Sequence, residues 1–106
     1  MKGERIGEFE ELVLLAVWAL GEPVYGVPIQ QYIEKATGRV VSMGAVYAGL
    51  ERIEGKGLVR SETGEVTRQR GGKRKRLFTI TPTGRGTLQD LRSIRERLWQ
   101  TIEARR

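Results

Sequence analysis

Residues 42–60 read SMGAVYAGLERIEGKGLVR, and the fold turns on them. Ser42 is a favourable N-cap, and Val46, Leu50 and Ile53 then recur at helical spacing. This predicts a helix from about Met43 to Gly55. Its other face carries Gly44, Tyr47, Ala48, Glu51 and Arg52. Gly44, Gly49 and Gly55 each cost such a helix ~1 kcal/mol relative to Ala. Either tertiary packing holds the helix, or close backbone approach to another molecule explains the glycines. Gly57 interrupts the pattern, and Leu58 to Ser61 then reads as a strand.

Downstream, Leu77 to Thr81 is its expected antiparallel partner. Glu62 to Arg76 lies between the two; it is polar, charged and contains Gly71-Gly72, as a hairpin with a long basic loop would. Pro82 ends the second strand. Thr83 is the expected cap of a last helix that runs to near Arg106. Leu88, Leu91, Ile94, Leu98 and Ile102 form a stripe along it, with Trp99 beside them. Spacings of three and four over five turns predict packing on another helix.

Upstream, Ile6, Phe9, Leu12, Val13, Ala16, Val17 and Leu20 predict a helix that Gly21 and Pro23 terminate. Glu8, Glu10 and Glu11 suit its positive N-terminal end. A second helix is expected from about Val27 to Ala36, with Pro28 in the first turn. Ile29, Tyr32, Ile33 and Ala36 form its apolar face, and Thr37-Gly38 stops it.

Composition narrows the chemistry. The 106 residues include no Cys and no His. Disulfides, thiol redox sensing and the common zinc sites are excluded, as are the usual general base and the usual activated nucleophile. No enzymatic activity, metal or cofactor is expected. The longest apolar stretch, Leu12 to Leu20, is about half of what a bilayer span needs. The first residues lack a signal-peptide pattern, so no membrane association and a cytoplasmic location are expected. The net charge is +6, and residues 60–76 alone carry 7 basic against 2 acidic side chains. Such a concentration fits contact with a polyanion, although solubility charge alone would give the same total.

Two short helices joined by a tight connection make a helix-turn-helix. A basic hairpin after it makes a winged helix. The fold expected is therefore mainly α with a small β-hairpin wing, followed by a long C-terminal helix. A helix fits the DNA major groove, where base edges distinguish all four pairs. A cationic wing can follow the phosphates or enter the neighbouring minor groove.

The residues also resemble a known family. Tyr25-Gly26 with Ile29, Thr37-Gly38, Ser42, Gly44, Tyr47, Leu50, Arg52 and Glu54 match the PadR family of transcriptional regulators. So do Lys56-Gly57-Leu58-Val59, the wing Gly71-Gly72-Lys73-Arg74-Lys75-Arg76, Thr79-Ile80-Thr81, Gly84 and Leu88. The resemblance runs from about Gly7 to Leu98. It implies a winged-helix repressor or activator that dimerises through its last and first helices. The single last helix is similar to the compact subgroup. Ala45, Ala48 and Leu77 depart from the pattern, where Thr or Ser, Pro, and an aromatic are frequent.

Residues 1–82 are thus expected to form the DNA-binding part and residues 83–106 a dimerisation helix, in one compact unit. Ser42, Gly44, Tyr47 and Arg52 are the candidates for the DNA-facing side of the third helix. Lys73, Arg74, Lys75 and Arg76 are the candidates for the wing, with about half of them on phosphate because strand neighbours point to opposite faces. Tyr47 has a core-packing alternative, and Arg52 could instead pair with Glu51 or Glu54. Tyr25 and Tyr32 suit the core. Ile6, Phe9, Leu88, Leu91, Leu98 and Ile102 are the candidate dimer interface. Trp18 and Trp99 either fill that interface or line a pocket for a small planar aromatic effector. Competing functions are a non-specific architectural DNA-binding protein with the same fold and a module that recruits another protein.

Overall fold

The computed structural model describes residues 5–21, 23–66 and 74–105, with the backbone alone at Glu65, Val66 and Arg74. Its elements in chain order are α1 (Glu8–Leu20), α2 (Gly26–Thr37), α3 (Met43–Gly55), β1 (Val59–Val66), β2 (Arg74–Ile80) and α4 (Pro82–Ala104). It is a helix-turn-helix followed by a two-stranded antiparallel wing and a long helix, the fold class expected. β1 and β2 pair from Val59 with Ile80 to Thr63 with Arg76, and the register shifts before Val66 pairs with Arg74.

The core forms where three helices and the base of the wing meet. Val13, Leu14, Ala16 and Val17 of α1, Ile29 and Ile33 of α2, and Val46, Leu50 and Ile53 of α3 are buried there with Leu58, Val59, Phe78 and Ile80. A short extended piece before α2 joins the wing: Val24 N–H donates to the Phe78 carbonyl at 3.0 Å, and Phe78 N–H donates back at 2.7 Å. The hairpin is thereby attached to the helices by backbone as well as by side chains.

Several expectations change. The strands reach further than the hydrophobic pattern showed, because backbone pairing continues through polar residues once the register is set. Arg74, Lys75 and Arg76 therefore belong to β2, not to the loop. Thr81, not Thr83, caps α4: its hydroxyl accepts from Gly84 N–H at 3.0 Å. The same hydroxyl donates toward the Gly57 carbonyl at 2.7 Å. Pro82 is the first residue of α4, where its missing N–H costs nothing. Gly84 is required by close approach, since a Cβ there would lie 2.2 Å from the Leu58 carbonyl oxygen. Tyr32 and Ala36, expected in the core, are exposed on the outer side of α2.

Glu10 ties α1 to α3. It is 8% exposed, and its carboxylate accepts from Arg52 Nε at 2.7 Å, Lys56 Nζ at 2.9 Å and Gly7 N–H at 3.3 Å. The Lys56 hydrogen bond is the largest influence on its acidity. Burial works against the charge, but Arg52 and Gly7 add to Lys56, and the carboxyl is held below its ordinary value of 4.5. A carboxylate depressed in the folded state contributes stability above its unfolded pKa and loses it as pH falls through the folded one. Glu10→Gln is therefore expected to lower stability by about 1–3 kcal/mol at neutral pH. The difference from the parent should shrink as pH drops below 4.5, as measured by urea denaturation across pH. A difference that stayed constant into acid would contradict the ion-pair origin.

Candidate nucleic-acid interface and the groove behind it

The DNA-facing candidates are built on α3 and β2. Ser42 caps α3 with its Oγ, which accepts from Ala45 N–H at 3.0 Å. Past this cap the helix exposes Gly44, Ala45, Ala48, Glu51, Arg52 and Gly55. Opposite them Val46, Gly49, Leu50 and Ile53 are buried. The outward surface at the start of α3 is thus formed by Ser42 and small residues, which allows the helix backbone to approach a groove floor closely.

Tyr47 takes its core-packing alternative. It is half-buried against the hydrophobic core, with its ring centroid 6.3 Å from that of Phe78. Its hydroxyl leaves no room for a Cβ at Gly26, which would meet it at 2.7 Å. This explains the Tyr25-Gly26 pair: α2 begins with Gly because the Tyr47 ring lies across its first turn. Arg52 also departs from expectation. It pairs with Glu10 of α1, not with Glu51 or Glu54, and its side chain lies along the α1 side of α3.

The described wing cations differ from one another. Lys75 Nζ lies 4.0 Å from the Tyr25 ring centroid and has no ion-pair partner among the described residues. Arg76 is committed inward: Nη1 pairs with Glu51 and Nη2 with Glu54 of α3. Its Nε donates to Ser61 Oγ at 3.2 Å, and Ser61 in turn donates to Glu54 at 2.6 Å. Desolvation opposes the Arg76 charge, but the two carboxylates outweigh it and raise its pKa above the ordinary arginine value. Of Arg74 only the backbone is described, and Lys73 lies outside the described residues.

Nothing in the sequence pairs Glu10 with Arg52 and Lys56, or Glu51, Glu54 and Ser61 with Arg76. Glu51 and Glu54 sit one turn apart on α3, but only the hairpin register brings Arg76 over them. Among the described residues no group of three metal-ligating side chains is gathered, and no helix is long and apolar enough to cross a membrane.

Behind this surface, α1 and α4 enclose a groove of about 610 Å³ lined by Glu11, Leu15, Trp18, Ala19, Leu88, Gln89, Arg92, Arg95, Glu96 and Trp99. The two indoles, 81 positions apart in sequence, share this groove. Arg95 Nη2 donates to Glu11 at 2.7 Å across it. The interface candidates fall into two groups. Ile6 and Phe9 pack on the chain's own core, and Leu88 is buried. Leu91 is half-buried, whereas every residue from Arg92 to Arg105 is exposed.

The family model for the transcriptional regulator PadR-like family matches residues 14–90. A curated relative, an uncharacterized 37.1 kDa protein in transposon TN4556 of Streptomyces fradiae, is 35% identical over 77 residues. The match covers 72% of this chain and 20% of that protein, so the chain spans a fifth of its relative's length. Among solved structures, a PadR-like transcription factor from Bacteroides fragilis superposes with a TM-score of 0.76 at 25% identity, over 91% of this chain and 87% of the other. A PadR family regulator from Eggerthella lenta gives 0.70 at 23%, over 92% and 84%. Bacillus subtilis PadR in complex with operator DNA gives 0.65 at 18%, over 78% and 46%.

The inward placement of Tyr47 has a measurable consequence. Tyr47→Ala removes a ring wedged between α2 and Phe78 and is expected to lower stability by about 2–4 kcal/mol, read from urea unfolding. A variant as stable as the parent would place the ring in solvent.

Proposed function

The chain belongs to the transcriptional regulator PadR-like family, and from that premise we propose that it is a sequence-specific regulator, a repressor, that binds duplex DNA as a homodimer in the cytoplasm. The observation that carries the proposal is an exposed, small-residue start of α3 in a fold that also carries a cationic strand. Ser42 and Gly44 begin the exposed side of α3, and Lys75 stands in β2 beside α2. The solved relative bound to operator DNA supports the same use of the fold. Lys75, with Lys73 and Arg74, supplies the phosphate contacts, and the start of α3 enters the major groove. Residues 1–82 do the DNA work and residues 83–106 the pairing.

The homodimer rests on α4. From Arg92 to Arg105 every residue of the helix is exposed, and among them are the apolar Ile94, Leu98, Trp99 and Ile102. An isolated helix of this length is marginal in water. The same helix of a second copy covers this stripe, with Leu91 at its margin and Leu15 of α1 opposite. A small planar aromatic effector fits the groove as a second occupant, because Trp18 and Trp99 both line it. It would alter DNA affinity only by preferring one dimer geometry over another.

Two experiments test these proposals. Selection of duplexes from a random library, followed by titration in increasing salt, should yield an enriched sequence bound more tightly than random DNA. Changing Lys73, Arg74 and Lys75 to Ala should weaken both and lower the log–log salt slope by roughly 0.9 for each phosphate no longer neutralised. Equal affinity for enriched and random duplexes would favour the architectural alternative. Light scattering should show a dimer for the parent and a monomer for Leu98→Asp with Ile102→Asp; a parent that is monomeric at micromolar concentration would contradict the pairing.

A further inference from the structure

The basic run 73–76 is KRKR, four consecutive cations that sequence alone treats alike. The structure separates the last of them. The Arg76 guanidinium uses all three of its nitrogens within the protein: Nη1 on Glu51, Nη2 on Glu54 and Nε on Ser61. Its carbon also lies 5.1 Å from the Phe78 ring centroid. A guanidinium satisfied on each nitrogen and laid over an aromatic face is held in one orientation. To reach a phosphate it would have to abandon two carboxylates.

Those carboxylates are the reason the arrangement matters. Glu51 and Glu54 stand on α3, and the Glu51 side chain is 57% exposed on its outward side. A free acidic pair on a helix that enters a DNA groove would repel the phosphates on either wall. The repulsion is considerable at close range even in water. Arg76 is the only cation on these two groups among the described residues. Lys56 and Arg52, the nearest cations on and after α3 in sequence, are engaged by Glu10.

We propose that Arg76 is a positioning residue of the DNA-reading surface, which binds no phosphate but bridges β2 to Glu51 and Glu54 of α3, masks their charge and fixes the angle of the wing to the helix. This rests on the DNA-binding reading given above. Glu54 anchors the bridge twice, directly and through the Ser61 hydroxyl. The wing and α3 then act as one rigid body, and their relative placement is set before DNA arrives.

The test uses the full chain and a random-sequence DNA duplex as the probe. In uniformly 15N-labelled protein without DNA, the Arg76 Nε–H is expected to give a slowly exchanging cross-peak, assigned by its loss in Arg76→Lys. Saturating duplex should leave that peak in place while the amides of Ser42 and Gly44 shift. Arg76→Gln should weaken duplex binding roughly fivefold, about the effect of one unit charge at close range in water. Adding Glu51→Gln and Glu54→Gln should restore part of the lost affinity but not all of it, because the repulsion is gone while the bridge that sets the wing angle is still broken. A cross-peak that moves on DNA addition, or a carboxamide background that recovers none of the lost affinity, overturns the proposal. Rapid exchange of the Nε–H in the free protein also overturns it, and that measurement requires no DNA. A protected peak in a protein that binds no duplex would instead overturn the DNA-binding reading and leave the bridge standing.

Discussion

Phe78 is the point on which the arrangement depends. Its side chain is fully buried, its backbone exchanges two hydrogen bonds with Val24, and its ring meets Tyr47 on one side and the Arg76 guanidinium on another. A single residue of β2 therefore touches the segment that leads into α2, the middle of α3 and the inner end of the basic run. Hairpins of two strands are marginal alone in water. This one is stabilised because its base is part of the helical core. The direction in which the wing leaves the domain follows from that attachment, and so does its closeness to α3.

The remaining elements divide by which face of α1 they use. One face packs on α2, α3 and β2, with Glu10 fastening α1 to Arg52 and Lys56 at the far end of α3. The opposite face, with Leu15 and Trp18, forms the groove with α4. A shift of α4 in that groove would reach α3 through a helix packed on both. The joint at Thr81 and Gly84 limits such movement at the start of α4, since Gly84 lies against the Leu58 carbonyl with no room for a side chain. Movement would have to come from the exposed length beyond Arg92. This mechanical path connects the groove, through α1, to the helix proposed to read DNA.

Much of this is legible in the sequence because it depends on local periodicity and punctuation. Val46, Leu50 and Ile53 define α3, Ser42 marks its start, and Gly21 and Gly38 end the two helices before it. The helical positions of Trp18 and Trp99 are enough to suggest that they lie on facing helices, and both line the groove between α1 and α4. What is not legible depends on partners far apart in the chain. Arg52 and Arg76 look available for phosphate because a run of sequence shows their charge but not Glu10, 42 positions away, or Glu51 and Glu54, 25 and 22 positions away. Tyr47 lies on the polar side by helical phase, yet the hairpin folds over that side and half-buries it. Ile6 and Phe9 are apolar enough for a subunit interface, and nothing in their spacing says that they also pack partly on the chain's own core. Thr81 and Thr83 are equally good caps by residue type; the Gly57 and Leu58 carbonyls beside Thr81 decide between them.

Two copies of one helix-and-wing unit are proposed to read duplex DNA together. Hydroxyl-radical footprinting on a duplex enriched from a random library tests this most directly. A dimer of this kind should give two protected half-sites related by two-fold symmetry, with centres about 34–36 Å apart, one turn of DNA, or a multiple of it. A single protected half-site at saturation, or uniform protection without phase along the duplex, would contradict it.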